Sequence, residues 1–328
     1  MNTRVLGRTG LEVTELALGG LFVSSVGSEY EGAKQAIDRA LALGINYIDT
    51  APGYANSEEV LGRALEGTSA PLVVSTKLGG RPKPFDPRDG EALLRSVETS
   101  LELLKRDAVD ILMIHEPDRP GQYDWWTDMD PYDGPVMEVL STLKKQGTIR
   151  FAGLGGTTAY QLARIMTTGE FDVVLTAFNY SLLWREAEHE ILPAAREQKM
   201  GVVIGSPLQQ GALAKRYDEI IASRPLWLSE PRRRQYEALY GFVDEIGMPL
   251  PELALRFVLS NPDISCVLTG ARSAAEVEAN VAAAERGALP AGVLSRLDEI
   301  AAMVPFRPTH EPFFLPFGRD WKGPGAAS

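Results

Sequence analysis

The stretch GINYIDTAPGYANSEEVLGRAL, residues 44–65, contains one complete strand–loop–helix unit. Residues 47–49 predict a short buried strand that ends in the carboxylate of Asp49. A loop with proline and glycine follows. Ser57 with Glu58 and Glu59 then predicts the start of a helix, because a hydroxyl cap and acidic residues in the first turn stabilise helix N-termini. A strand that leads into a helix is the repeating unit of parallel α/β folds.

The same alternation continues through the chain. Apolar runs of the kind found in strands buried on both faces predict strands at residues 16–18, 47–49, 72–76, 111–115, 149–154, 173–178, 201–205 and 266–269. Amphipathic stretches between them, such as residues 31–43 and 90–105, predict helices. Eight such units without a break favour an α/β fold of the (β/α)₈ TIM barrel type, although an open doubly wound sheet gives the same alternation.

The chain shows no linker and no low-complexity segment, so we expect one domain over residues 1–328. Residues 6–13 predict an N-terminal β-hairpin before the first barrel strand. Residues 116–134 and 207–227 are too long for tight turns, and both follow strands, so in a barrel they rise from its C-terminal face. Residues 305–328 form a third long segment, which we expect to lie as a C-terminal tail over the barrel mouth. The alternative is that this tail forms a subunit contact.

Charge and composition restrict the class of partner. The 33 basic and 44 acidic residues give a net charge of −11, which argues against binding to nucleic acid or to a membrane surface. The single cysteine, Cys266, rules out a disulfide within the chain and is expected in the core. The N-terminus lacks the apolar stretch of a signal peptide, and no long apolar window is present. We therefore expect a cytoplasmic enzyme for a small molecule, as a monomer or homo-oligomer.

Ionisable residues end three successive predicted strands: Asp49, Lys77 and His115. Tyr54 lies in the loop five positions after Asp49. In a parallel barrel these strand ends point at one mouth, where catalytic groups gather. Each residue alone is more often structural or solvated, but the set of four predicts a catalytic centre.

The stretch that begins at Gly44 resembles the first signature of the aldo-keto reductase family. Other landmarks of that family follow in order. They are Lys77, His115 with Pro117, Ser206-Pro207-Leu208, and Gly270-Ala271-Arg272-Ser273 leading to Asn280. The resemblance extends over most of the chain and implies a barrel oxidoreductase that moves a hydride between a nicotinamide and a carbonyl/alcohol pair.

The resemblance also implies a role for each catalytic residue. Tyr54 would be the general acid toward a carbonyl or the base toward an alcohol. Lys77 would favour its phenolate, since a nearby cation lowers the pKa of a phenol that titrates near ~10. Asp49 would hold Lys77, and His115 would orient the carbonyl oxygen. Hydride transfer of this kind needs no metal, and the sequence shows no convincing zinc-ligand set.

The implied cofactor is NAD or NADP. The residues expected to bind it are Gly20, Gly155, Gly156, Ser206, Leu208, Gly211, Gly270, Arg272, Ser273, Glu276 and Asn280. Gly155 and Gly156 stand where many members of the family carry serine and asparagine. Ala177 and Gly205 stand where many carry glutamine and a stacking tyrosine. These departures resemble the aldose and galactose dehydrogenase branch of the family.

Glu276 favours NAD over NADP. Relatives that use NADP often carry arginine or glutamine near this position, whereas a carboxylate repels a 2′-phosphate and can accept from a ribose hydroxyl. Arg272 could meet the pyrophosphate or a 2′-phosphate, which weakens the preference. The alternative is that Glu276 is a solvated helix residue.

Aromatic residues of the long segments predict the substrate class. Trp125, Trp126, Trp227 and Phe313 could stack on the apolar face of a sugar or another flat ring, and loop acids such as Asp118 could accept from hydroxyls. The alternative is that these aromatics pin the loops to the barrel. Because the departures at the cofactor site resemble the aldose and galactose dehydrogenase branch, we expect an aldose 1-dehydrogenase. The alternatives are an NADPH-dependent reductase of a ring ketone or aldehyde, a nucleotide-sensing regulatory subunit, and an unrelated barrel lyase or hydrolase.

Overall fold

A computed structural model describes residues 1–81, 83–308, 311–312 and 315–318. Eight parallel strands close into a barrel, and the pairing of the last barrel strand with the first completes the circle, which excludes an open sheet. The barrel strands are β3 (Leu16–Gly19), β4 (Tyr47–Asp49), β5 (Val73–Leu78), β6 (Val109–His115), β9 (Ile149–Gly156), β10 (Val173–Ala177), β11 (Gly201–Gly205) and β12 (Cys266–Gly270). The predicted TIM barrel and its eight strands are confirmed.

Helices follow the barrel strands and form the outer layer. They are α1 (Tyr30–Ala42), α2 (Ser57–Ala64), α3 (Gly90–Leu104), α4 (Pro135–Gln146), α5 (Ala159–Met166), α6 (Glu186–His189), α7 (Ile191–Gln198), α8 (Asp218–Ala222), α9 (Glu230–Ile246), α10 (Leu250–Leu259), α11 (Ala274–Glu285) and α12 (Ala291–Ala302). The helices expected at 31–43 and 90–105 are confirmed as α1 and α3.

The predicted cap of α2 is wrong in one detail. Asn56 occupies the cap position, and Ser57 is the first helical residue. The Ser57 hydroxyl instead donates to the carbonyl oxygen of Gly20 at 2.8 Å and accepts from the Thr50 hydroxyl at 2.8 Å. A serine at this position therefore ties the end of β3 to the loop after β4, because both strand ends lie at the same rim of the barrel.

The barrel interior is a packed apolar core. Alternate residues of the strands point inward and are buried together, among them Ala17, Tyr47, Ile111, Val203 and Cys266. A second apolar cluster fills the space between the strands and the helices. Because both faces of each strand are buried, the strands appear in the sequence as continuous apolar runs.

A short hairpin closes the N-terminal end of the barrel. Its strands, β1 (Thr3–Val5) and β2 (Glu12–Thr14), pair antiparallel and confirm the predicted hairpin. Leu6 is fully buried beneath β11. It approaches so closely that a Cβ on Gly201 would lie 2.7 Å from Leu6 Cδ1. This plug leaves the C-terminal end as the open mouth.

Two long segments leave the barrel at that end, after β6 and after β11. The loop after β6 contains a small hairpin of β7 (Asp128–Met129) and β8 (Tyr132–Asp133). In the described part of the tail, the Phe317 ring stacks on Tyr217, with 4.5 Å between ring centroids, and lies edge-on to Trp227 at 5.0 Å. The tail therefore packs on the loop that follows β11. Within the described ranges, no helix has the length and apolar character needed to cross a membrane.

Candidate active site

A buried ion pair lies where β4 and β5 reach the mouth. Lys77 Nζ is 2.6 Å from Asp49 Oδ2, and the two side chains are 1% and 2% exposed. Lys77 also donates to the carbonyl oxygen of Thr50 at 2.8 Å, and Ser75 donates to Asp49 Oδ1 at 2.6 Å. Burial opposes the charge on Lys77, but Asp49 and Tyr54 raise its pKa above the ordinary value. The site therefore holds a fixed ammonium group.

Tyr54 lies against this ammonium. Lys77 Nζ is 4.7 Å from the centroid of the Tyr54 ring. Burial raises the pKa of Tyr54, while the charge and hydrogen bond of Lys77 lower it, and the net direction is upward. The predicted effect of Lys77 thus has the right sign, but desolvation of the phenolate is the larger effect. Tyr54 keeps its proton in this structure and can donate it to an oxygen atom.

His115 completes the cluster from the end of β6. Its ring lies edge-on to Tyr54, with 5.8 Å between ring centroids. Burial and the charge of Lys77 lower the pKa of His115 to about 3, so the imidazole is neutral at physiological pH. Within the described part of the chain, its Nδ1 has no hydrogen-bond partner. A neutral imidazole beside a phenol can hydrogen-bond a substrate oxygen without adding charge.

The end of β9 lies next to this cluster. A Cβ on Gly155 would be 3.5 Å from Lys77 Cε, and one on Gly156 would be 2.5 Å from Asp118 Oδ1. A side chain at Gly156 would therefore collide with Asp118. This close approach explains why glycine stands where the resemblance leads us to expect asparagine. Asp118 accepts from the backbone N–H of Thr157 at 2.8 Å and thereby fixes the loop after β9. We predicted that it could accept from substrate hydroxyls, but in this structure it binds the backbone instead.

The neighbouring strands offer no large side chain at the expected nicotinamide positions. Ala177 pairs with Gly205, and a Cβ on Gly205 would lie 3.3 Å from Ala177 Cβ. Ser206 then leaves β11 with a φ of 55°, and Gly211 has a φ of 102° and donates to Leu208 O at 3.0 Å. This rim is shaped by backbone, which suits a ligand held through main-chain groups.

The end of β12 and the start of α11 form the adjoining part of the rim, because β12 pairs with β11. The Arg272 guanidinium lies 4.9 Å from the centroid of the Phe22 ring. Ser273 caps α11 by accepting from Glu276 N at 3.3 Å, and Glu276 Oε2 accepts from Arg272 N at 2.8 Å. Gly270 precedes this turn, and Asn280 lies further along α11. An exposed arginine before a helix N-terminus fits a phosphate group, so the predicted residues fit a dinucleotide.

Glu276 has a structural task that the sequence did not show. It closes the turn before α11 and is not merely solvated. Its carboxylate lies at the helix N-terminus, and the residue is exposed.

The predicted substrate aromatics are packing residues in this structure. Trp125 is fully buried and donates to the carbonyl oxygen of His115 at 3.0 Å, so it offers no surface to a substrate. Trp126 is 7% exposed and donates to Pro117 O at 2.9 Å, and Trp227 is 7% exposed against Phe317. These placements favour the alternative that the aromatics pin the loops. Phe313 lies outside the described residues.

One residue near the cluster was not singled out from the sequence. Glu116 directly follows His115, and its backbone N–H donates to Gly155 O at 2.7 Å. Burial raises the pKa of its carboxyl group to about 7. The only signal in the sequence was its position immediately after a strand-end histidine.

Comparison with known proteins agrees with this geometry. The model of the Aldo/keto reductase family matches residues 15–302. L-galactose dehydrogenase from Arabidopsis thaliana is 31% identical, over 85% of this chain and 87% of that protein. NADH-specific methylglyoxal reductase from Escherichia coli (strain K12) is 29% identical, over 85% and 92%. A solved holo form of an aldo-keto reductase from Bacillus halodurans matches with a TM-score of 0.74 and 29% identity, over 92% and 96%.

Proposed function

Because this chain belongs to the aldo/keto reductase family and is an NAD(P)-dependent oxidoreductase of CH–OH and C=O groups, we propose that it oxidises the anomeric hydroxyl of an aldose to a lactone with NAD. The observation that carries the proposal is the cluster of Asp49, Tyr54, Lys77 and His115 at the barrel mouth. Similarity to L-galactose dehydrogenase supports a sugar as substrate.

In the proposed reaction, the cluster transfers the proton to or from the substrate oxygen. When bound, the nicotinamide supplies or accepts the hydride. In reduction, Tyr54 gives its phenol proton to the carbonyl oxygen. In oxidation, Tyr54 must first release that proton to solvent, and its phenolate then receives the hydroxyl proton. Lys77 stabilises the phenolate that forms in the first case, since a cation beside a phenolate lowers its energy. Neutral His115 hydrogen-bonds the reacting oxygen and fixes its position.

The preference for NAD rests on Glu276 beside Arg272. The carboxylate would face the extra phosphate of NADP at the N-terminus of α11. Similarity to an NADH-specific reductase supports the same preference. We expect Glu276→Gln to raise kcat/KM for NADP several-fold relative to NAD, while Glu278→Gln on the same helix leaves the ratio unchanged. An unchanged ratio in Glu276→Gln would remove the basis for the preference.

An initial-rate panel tests the substrate. Purified protein is mixed with NAD or NADP and a set of aldoses, and reduced-cofactor absorbance is followed. Rapid reduction of NAD by an aldose supports the dehydrogenase. If no aldose reduces the cofactor, and ketones or aldehydes instead oxidise reduced cofactor, the protein would be assigned to carbonyl reduction. The protonated state of Tyr54 and the similarity to methylglyoxal reductase favour that second candidate.

A further inference from the structure

Glu116 lies beside the catalytic cluster. It is the first residue after His115, and its N–H is bonded to Gly155, the residue whose Cβ would lie 3.5 Å from Lys77 Cε. Its carboxylate accepts from the Thr157 hydroxyl at 2.8 Å and lies 3.8 Å from Arg119 Nη1. The side chain is 13% exposed, so part of it is accessible to solvent.

The backbone does not explain a glutamate at this position. Glu116 has a φ of 52°, in the left-handed region that glycine and asparagine adopt more easily than glutamate. Desolvation also disfavours its charge, and Asp118 adds a second negative charge nearby. A partly buried carboxylate in disfavoured backbone is typical of a functional position.

We propose that Glu116 selects substrates by accepting hydrogen bonds from hydroxyl groups next to the reacting carbon. A carboxylate forms strong hydrogen bonds with hydroxyl donors and repels anionic groups. Its position next to His115 places it beside the oxygen-binding part of the site, and Thr157 orients it. The favoured substrate class is a neutral polyhydroxylated carbonyl or alcohol, so the inference rests on and narrows the proposed function.

The test compares substrates with and without the neighbouring hydroxyls. Initial rates with NADH at pH 8, above the raised pKa of Glu116, give kcat/KM for glyceraldehyde and for propionaldehyde, and the ratio of the two is the readout. We expect Glu116→Met to lower this ratio about tenfold or more, because it removes a charged acceptor, and Glu116→Gln to lower it less. Glu138→Gln, at an exposed position on α4, removes the same charge and should keep the wild-type ratio.

A purely structural Glu116 would lower both rates equally and leave the ratio unchanged, and this result would overturn the inference. If neither aldehyde reacts, calorimetry measures the affinities for galactose and 2-deoxygalactose with cofactor present, and their ratio is the readout without turnover. An equal ratio of affinities in wild type and Glu116→Met again overturns the inference. A shifted ratio with no aldose oxidation would contradict the proposed function but leave the role of Glu116 intact. Aldose oxidation with an unshifted ratio would support the proposed function but overturn the role of Glu116.

Discussion

At the scale of single residues, the site depends on how burial and charge are balanced around one ammonium group. Lys77 and Asp49 are almost fully buried, and each is satisfied by hydrogen bonds, so the pair is stable despite the cost of desolvation. Burial and the same ammonium keep His115 neutral, and the ammonium opposes the effect of burial on the pKa of Tyr54. One lysine thereby lowers the pKa of both neighbours, while burial lowers the pKa of His115 and raises that of Tyr54.

Glu116 should make stability depend on pH. Its folded-state pKa of about 7 exceeds the ordinary 4.5, so the native state retains a proton that the unfolded chain releases between these values. The free energy of unfolding therefore falls as pH rises through this window, by up to ~3 kcal/mol. Glu116→Gln removes this loss. We expect its Tm to match wild type near pH 4.5 and to exceed it at pH 8.

His115 acts in the opposite direction, since its lowered pKa reduces stability as pH falls from 6.5 toward 3. This contribution is common to both proteins and cancels in the comparison. A difference in Tm between Glu116→Gln and wild type that is the same at both pH values would contradict the raised pKa.

At the scale of elements, the strands were predictable and the loops were not. Strand ends are visible in the sequence because runs buried on both faces stop abruptly, and this placed Asp49, Lys77 and His115 at one rim. The loops are set by contacts between distant residues. Glu116 is oriented by Thr157, 41 positions away, and the tail is held by Arg232 and Glu311, 79 positions apart. Contacts between residues so far apart leave no pattern in the local sequence from which they could be predicted.

The tail anchor should contribute strongly to stability. Arg232 and Glu311 are fully buried and form two hydrogen bonds, of 2.9 and 3.0 Å. Removing one charge leaves the other uncompensated, which costs about 3–5 kcal/mol unless the tail undocks. We expect Glu311→Gln to lower the urea midpoint and to speed proteolysis near the C-terminus. Glu299→Gln, which breaks an exposed pair with Arg296, should change both little. Equal effects of the two variants would contradict a structural role for the anchor.

At the scale of the whole molecule, the fold separates stability from chemistry. The hairpin and Leu6 close one end of the barrel, the apolar interior fills its centre, and the proposed catalytic residues occupy the other end. The loops at that end can vary without disturbing the core, which is why the substrate is harder to predict than the reaction.

We propose that the chain folds as one domain over residues 1–328. Calorimetry should show a single unfolding transition, and its calorimetric and van't Hoff enthalpies should agree. NADH should raise the transition temperature, because it binds only the native state, and by more than NADPH at equal concentration. Two separate transitions, of which NADH shifts one, would contradict the single domain.

The most direct test of the account is the turnover of Tyr54→Phe with NAD and the best aldose, measured together with NADH affinity by fluorescence titration. We predict a loss of about 10²–10⁴-fold in kcat, since the proton donor and acceptor is removed, while the NADH affinity stays within a few-fold of wild type. Full turnover in Tyr54→Phe, with cofactor binding intact, would contradict the assignment of the proton to Tyr54.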